Sequence, residues 1–208
     1  MKKFNAIILI TTTILSLGAI KAQAQQGEVR MTASIAGATP SGGLKDLVDK
    51  TSFRGIDLII LYGINDQFAV GLNIAFQDFY QKFPRAIYKL SDGSDISAVL
   101  TNSIQTIPLL ATLKYNFLPD ARIQPYGSAG LGGAIVMNKQ YIGEYPNEMD
   151  KISFAVRPAA GVYIPFNKEG EVGINLGVNY TYIPYKQDDV SNLSYIGFTI
   201  GIGFPMRN

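Results

Sequence analysis

Four charged residues fall where alternation would place them inside a single closed sheet: Arg30, Asp57, Lys114 and Arg157. Each stands on the side of an alternating segment opposite its large apolar side chains. Asn73, Gln124, Asn175 and Asn179 share that side. Acids are scarce there, and a buried charge without a partner is costly. Asp57 is therefore expected to accept a hydrogen bond from an inward arginine, either Arg30 or Arg157. Two uses of such a constellation stay open. It can fill an interior as a paired polar network, or it can line a narrow, gated polar path.

Catalysis is not expected from this chain. Histidine is absent, which removes the commonest general base and the usual partner of a serine nucleophile. Cysteine is absent too, so the common zinc sites and any disulfide framework are excluded, and no metal or cofactor is expected. The loop carboxylates Asp188 with Asp189, and Asp92 with Asp95, are at most weak cation ligands and read as solvated charge. The run Gly127-Ser128-Ala129-Gly130-Leu131-Gly132-Gly133 lacks the spacing and the βαβ context of a nucleotide loop. Its glycines are expected to relieve crowding within a strand. The sequons at Asn179 and Asn192 read as chance matches.

The segments that carry these residues alternate with a period of two. Val172, Ile174, Leu176, Val178, Tyr180 and Tyr182 form one apolar row, and Ile196, Phe198, Ile200, Ile202 and Phe204 another. Between them stand Gly, Asn and Thr, with no charge. Such a row is one face of a strand. A soluble sheet usually covers its wet face with Lys and Glu. A membrane barrel instead needs an apolar exterior and a compact polar interior. Eight segments qualify as strands: Glu28–Gly37, Phe53–Gly63, Phe68–Phe76, Ser103–Phe117, Ile123–Met137, Ile152–Phe166, Glu171–Tyr182 and Tyr195–Phe204. Short turns (64–67, 118–122, 167–170) alternate with longer connections (38–52, 77–102, 138–151, 183–194). The expected fold is all-β: an eight-stranded antiparallel up-and-down transmembrane β-barrel with short periplasmic turns and long outer loops. Tyr62, Phe68, Tyr115, Phe117, Phe166 and Phe204 fall near the short turns and are expected to form a periplasmic aromatic girdle.

The first 24 residues read as a cleaved secretory signal. Lys2 and Lys3 precede an apolar stretch, and Ala22-Gln23-Ala24 is a small-x-small site. Residues 25–208 are then the barrel domain. Cleavage removes Lys2, Lys3 and Lys21 and no acid, leaving 15 basic and 16 acidic residues, a net of −1. That balance gives no electrostatic reason to expect a nucleic-acid partner. The mean hydropathy is nevertheless positive, +0.13.

The layout of eight strands, the hairpin I-P-L-L-A-T-L-K-Y-N-F-L-P-D-A-R-I-Q-P-Y-G-S-A-G-L-G-G-A and the aromatic near the chain's end resemble the small outer-membrane barrel families. These are the OmpA membrane-domain-like and porin-family outer membrane protein beta-barrel proteins. The resemblance covers the whole mature chain. It implies an outer-membrane, monomeric, non-enzymatic protein with an envelope-structural or surface-interaction role. It also implies lipid and the barrel-assembly machinery as partners, the latter through the last strand. Here Phe204 is followed by Pro205-Met206-Arg207-Asn208, where such barrels often end on the aromatic itself. The runner-up is a narrow porin-like channel for small solutes. A barrel that binds an apolar ligand inside is a third reading, kept open by inward Ile59, Leu61 and Leu110.

Overall fold

The computed structural model describes residues 27–89, 95–142, 145–166, 172–187 and 190–206. The expected signal segment, the turn 167–170, and Asp92, Asp188 and Asp189 lie outside the described residues. Eight strands close into a barrel: β1 (Val29–Ser41), β2 (Ser52–Gly63), β3 (Phe68–Lys82), β6 (Leu100–Asn116), β7 (Gln124–Ile142), β8 (Tyr145–Pro165), β9 (Gly173–Gln187) and β10 (Val190–Met206). Two short strands, β4 (Ala86–Lys89) and β5 (Asp95–Ala98), pair as a separate hairpin, and α1 (Leu44–Leu47) follows β1. Every neighbour in the barrel is antiparallel, and β10 closes on β1. Asn65 shows how a short turn is made. Its Oδ1 accepts from the backbone N–H of Gln67 (2.9 Å) and Phe68 (2.7 Å), the bond that makes Asn a turn former.

The register fixes the geometry. One walk around the barrel along paired residues runs Met31, Ile60, Leu72, Ala111, Leu131, Val156, Tyr182, Ser194 and back to β1 at Ser41. It returns ten residues from where it began. With eight strands, a rise of about 3.3 Å and a spacing of about 4.8 Å, that stagger tilts the strands by about 40°. The apolar outward row of β6 runs from Ile107 to Phe117, ten steps. At that tilt it spans about 25 Å, the height of a lipid-facing band.

The strands continue well past this band, and there the two faces exchange character. On β3 the outward row passes from Phe76 to Asp78, while the inward row passes from Gln77 to buried Phe79. On β6 outward Ile107 gives way to Gln105, and inward Thr106 to Ile104. On β10 inward Gly197 gives way to buried Tyr195 and Leu193, and Ser194, which follows Ile196 on the other row, is buried as well. Above the lipid the wall meets water outside, so its apolar side turns in. The expected long connections 77–102, 138–151 and 183–194 are therefore mostly strand. Phe79, expected on an outer loop, lies fully buried inside the barrel.

The connection 38–52 is likewise no free loop. It dips into the outer mouth, where Leu44 and Val48 are fully buried against Phe79, Ile104, Ile183 and Leu193. Gly42 turns the chain there with φ +52°, and a Cβ at that point would meet the Asn192 side chain. Three wall side chains fasten the segment. Asn102 donates to the Leu47 carbonyl (2.8 Å), Gln81 accepts from the Asp49 N–H (2.7 Å), and Asn192 accepts from the Gly43 N–H (3.4 Å). Leu44→Ala should lower the unfolding free energy by about 2–5 kcal/mol and Leu44→Met by less than about 1.5. Urea midpoints of the refolded barrel test this; equal midpoints for Leu44→Ala and the unaltered protein would mean the segment is not packed.

Candidate functional site

The structure brings Asp57 and Arg157 together and sets Arg30 and Lys114 apart. Asp57 on β2 and Arg157 on β8 stand on diametrically opposite walls, four strands apart either way around the barrel. Arg157 Nη1 donates to Asp57 Oδ2 at 2.8 Å, and both side chains are less than a tenth exposed. The rest of the guanidinium is also bound. Nη1 reaches Asn73 Oδ1 (2.9 Å), Nε donates to Thr181 Oγ1 (2.8 Å), and Nη2 donates to the Tyr195 hydroxyl (3.3 Å). Asn73 Nδ2 in turn donates to Asp57 Oδ1 (3.0 Å) and to the Leu58 carbonyl (3.2 Å). Tyr195 shares a hydrogen bond with Thr106 (3.2 Å), and Thr181 donates to Asn179 Oδ1 (3.4 Å). A planar fork with five donors suits this bridge, because it binds several acceptors at once. Such completeness is what makes a desolvated ion pair tolerable.

Thr181 and Tyr195 were not among the residues singled out by sequence. Parity was the available signal, since both lie two positions from inward Asn179 and Gly197 respectively. In the sequence Thr181 stands in a sequon, and Tyr195 stands at the start of a strand.

Arg30 and Lys114 lie nearer the periplasmic end. Arg30 pairs with Glu28 at 3.2 Å, and its guanidinium carbon lies 5.1 Å from the centre of the Tyr163 ring. The Lys114 ammonium lies 4.0 Å from the centre of the Tyr126 ring and 6.0 Å from that of Tyr163. Small inward residues make room for these rings. A Cβ on Gly173 would come within 2.7 Å of Tyr163 Cζ, and one on Gly161 within 2.5 Å of the Tyr126 hydroxyl. Tyr163 donates to the Gly203 carbonyl (3.3 Å), and Asn175 hydrogen-bonds Tyr126. Gln124 is buried at the same end.

The space left over is small. A cavity of about 40 Å³ lies beside Asp57, Asn73, Tyr126 and Arg157, and one of about 30 Å³ beside Arg30, Lys114 and Gln124. Each is large enough for a few waters. Outside the barrel, Phe68 stacks near Tyr115 (4.8 Å between centres) and Tyr115 meets Phe117 edge-on (5.1 Å). Tyr62 and Phe166 are exposed at the same end, and Phe204 is half-buried. Among the described residues no three of His, Cys, Asp and Glu gather as a metal set.

A family profile described as "Outer membrane protein beta-barrel domain" matches residues 8–204. The chain belongs to this family. A search of the curated proteins finds no match. Several solved barrels share the family's architecture with this chain. Neisserial surface protein A is 18% identical, with 86% of this chain and 96% of that one covered and a TM-score of 0.54. Ail, the attachment invasion locus protein of Yersinia pestis, was solved in complex with the heparin analogue sucrose octasulfate. It is 12% identical over 87% and 99% of the two chains, with a TM-score of 0.52. The Escherichia coli outer membrane protein W is 19% identical over 88% and 100%, with a TM-score of 0.50. These likenesses speak for the fold. Family and fold together make the chain an outer-membrane barrel.

Proposed function

We propose that this barrel is a closed, non-enzymatic envelope protein that acts through its outer rim, in a structural or surface-interaction role. The observation that carries the reading is a double obstruction of the lumen. The Asp57–Arg157 bridge crosses it at mid-height, and the apolar packing around Leu44, Val48, Phe79 and Ile104 fills it above. The cavities beside the bridge and below it are of a size for a few waters. A wall whose interior is given over to packing leaves its outer surface as the place to meet partners. Strands that rise beyond the apolar band by six or more residues supply that surface. That one barrel of similar fold is named a surface protein and another an attachment protein is consistent with such a role. On this reading the protein works as a monomer, with lipid and the barrel-assembly machinery as its obligatory partners.

Single-channel recording of the refolded protein in planar bilayers tests the proposal, with heat-modifiable gel migration as the check of folding. The expected trace is silent. Steady openings that change when Arg157 is replaced would favour the second reading, a narrow channel for small solutes. The observation on that side is that the 43–49 segment is fastened over the mouth by a few side-chain hydrogen bonds, from Asn102, Gln81 and Asn192.

A further inference from the structure

Among the described residues, the lumen near its periplasmic end carries two cations, Arg30 and Lys114, and one acid, Glu28. Glu28 is taken up by Arg30. Among the described residues, no carboxylate lies within ion-pair distance of Lys114. The Tyr126 face at 4.0 Å stabilises its charge, but an aromatic face leaves an ammonium's three N–H donors largely unspent. The Tyr163 ring lies between the two cations, 5.1 Å from the Arg30 guanidinium and 6.0 Å from the Lys114 ammonium. A cleft opens between them, lined also by Glu28, Asn116, Gln124 and Tyr163. Lys114 and Arg30 bring donors only, the amides and the phenol can donate as well as accept, and two cations against the one Glu28 carboxylate leave this lining with a net charge of +1. A narrow mouth with low-dielectric walls concentrates such a field and draws in ions of opposite sign.

We propose that this cleft is a periplasmic binding site for an oxyanion group, a phosphate or a carboxylate, held by Lys114 Nζ and the Arg30 guanidinium. Arg30 offers a planar fork for such a group, and Lys114 a compact point charge. The two cations come from different strands, β1 and β6, three apart around the barrel, so neither alone makes the site. Because the cleft faces the turn end of the barrel, below the Asp57–Arg157 bridge, the proposal holds whether or not the lumen conducts.

The test follows backbone amide shifts of the refolded protein in micelles during titration with inorganic phosphate, and separately with citrate, at constant ionic strength against chloride. The expected result is a saturable change centred on residues 28–32, 112–116 and 124–126. Saturation by phosphate alone assigns the site to phosphate groups, and saturation by citrate assigns it to carboxylates as well. Lys114→Gln should weaken binding about tenfold or more, as loss of a charge-assisted bond does. Lys114→Arg should retain binding, and Lys45→Gln, in the outer plug segment, should leave it unchanged. Non-saturating shifts with both anions, or shifts in the unaltered protein centred elsewhere, overturn the proposal even if Lys114→Gln does not fold. So does full binding by folded Lys114→Gln.

Discussion

Asp57→Ala should cost the barrel about 3–5 kcal/mol, as breaking a buried ion pair on one side does. The penalty comes from what is left behind. Arg157, less than a tenth exposed, would keep Asn73, Thr181 and Tyr195 as neutral acceptors but lose its only counter-charge. Arg157→Ala should cost a similar amount, because the Asp57 carboxylate would retain only the Asn73 amide as a side-chain donor. The double replacement Asp57→Leu with Arg157→Met removes both charges and fills the space with apolar atoms. It should recover most of the loss, since a buried pair adds little over packed hydrophobes of similar volume. Urea unfolding of these proteins in lipid vesicles measures each cost, and the double variant Asp57→Ala with Arg157→Ala closes the cycle that gives the coupling energy. Single replacements that each cost less than about 1 kcal/mol would mean that water already solvates the pair. The lumen would then be open, and the closed-barrel reading would fall with it.

Why Arg157 and not Arg30 is the partner shows where sequence reading stops. Both arginines were inward by alternation, and that was legible because lipid permits no charge on the other face. On β1, however, the residue beside Asp57 is Ser34, and Arg30 lies four residues further toward the turn end. That is about 13 Å along the strand. Arg157 comes from the opposite wall at the height of Asp57, and its height follows from a stagger of ten residues that no single strand records. The same limit hid the outer core. Within the lipid band the rule is apolar outside, and the row Phe68, Val70, Leu72, Ile74 and Phe76 could be read without a structure. Where Asp78 ends that row, the outer alternation stops and the letters read as a loop. In fact Phe79 carries the apolar row on from the inner face. The reversal is visible in the letters, but it reads as a strand only if the barrel is assumed to outgrow the membrane. Leu44 and Val48 carry no such signal, since three large apolar residues, with Leu47, in a short Gly-rich connection do not announce that the connection turns inward.

Arginine placed along the outward face of β6 should therefore report a step in stability and not a slope. Leu113→Arg and Leu109→Arg put a charge among Val70, Ile74, Leu131 and Ala129, on a face that lipid covers. Each should cost about 2–4 kcal/mol. Gln105→Arg and Ser103→Arg should cost about 0–1 kcal/mol. Gln105 faces Asp78 across the β3 pairing, and Ser103 already bonds the Asp78 carboxylate, so an arginine at either place gains an acid neighbour in water. The step should fall between Ile107 and Gln105, where the inward row also changes from polar Thr106 to apolar Ile104. The two rows reverse at one height because a single boundary, lipid giving way to water, dictates both. Unfolding midpoints in vesicles of one lipid locate the step. A cost of several kcal/mol that persists at Ser103 would put the boundary higher up the wall. Phe79, Ile104 and Leu193 would then pack inside the membrane, and the outer segment would lose its standing as a water-facing extension.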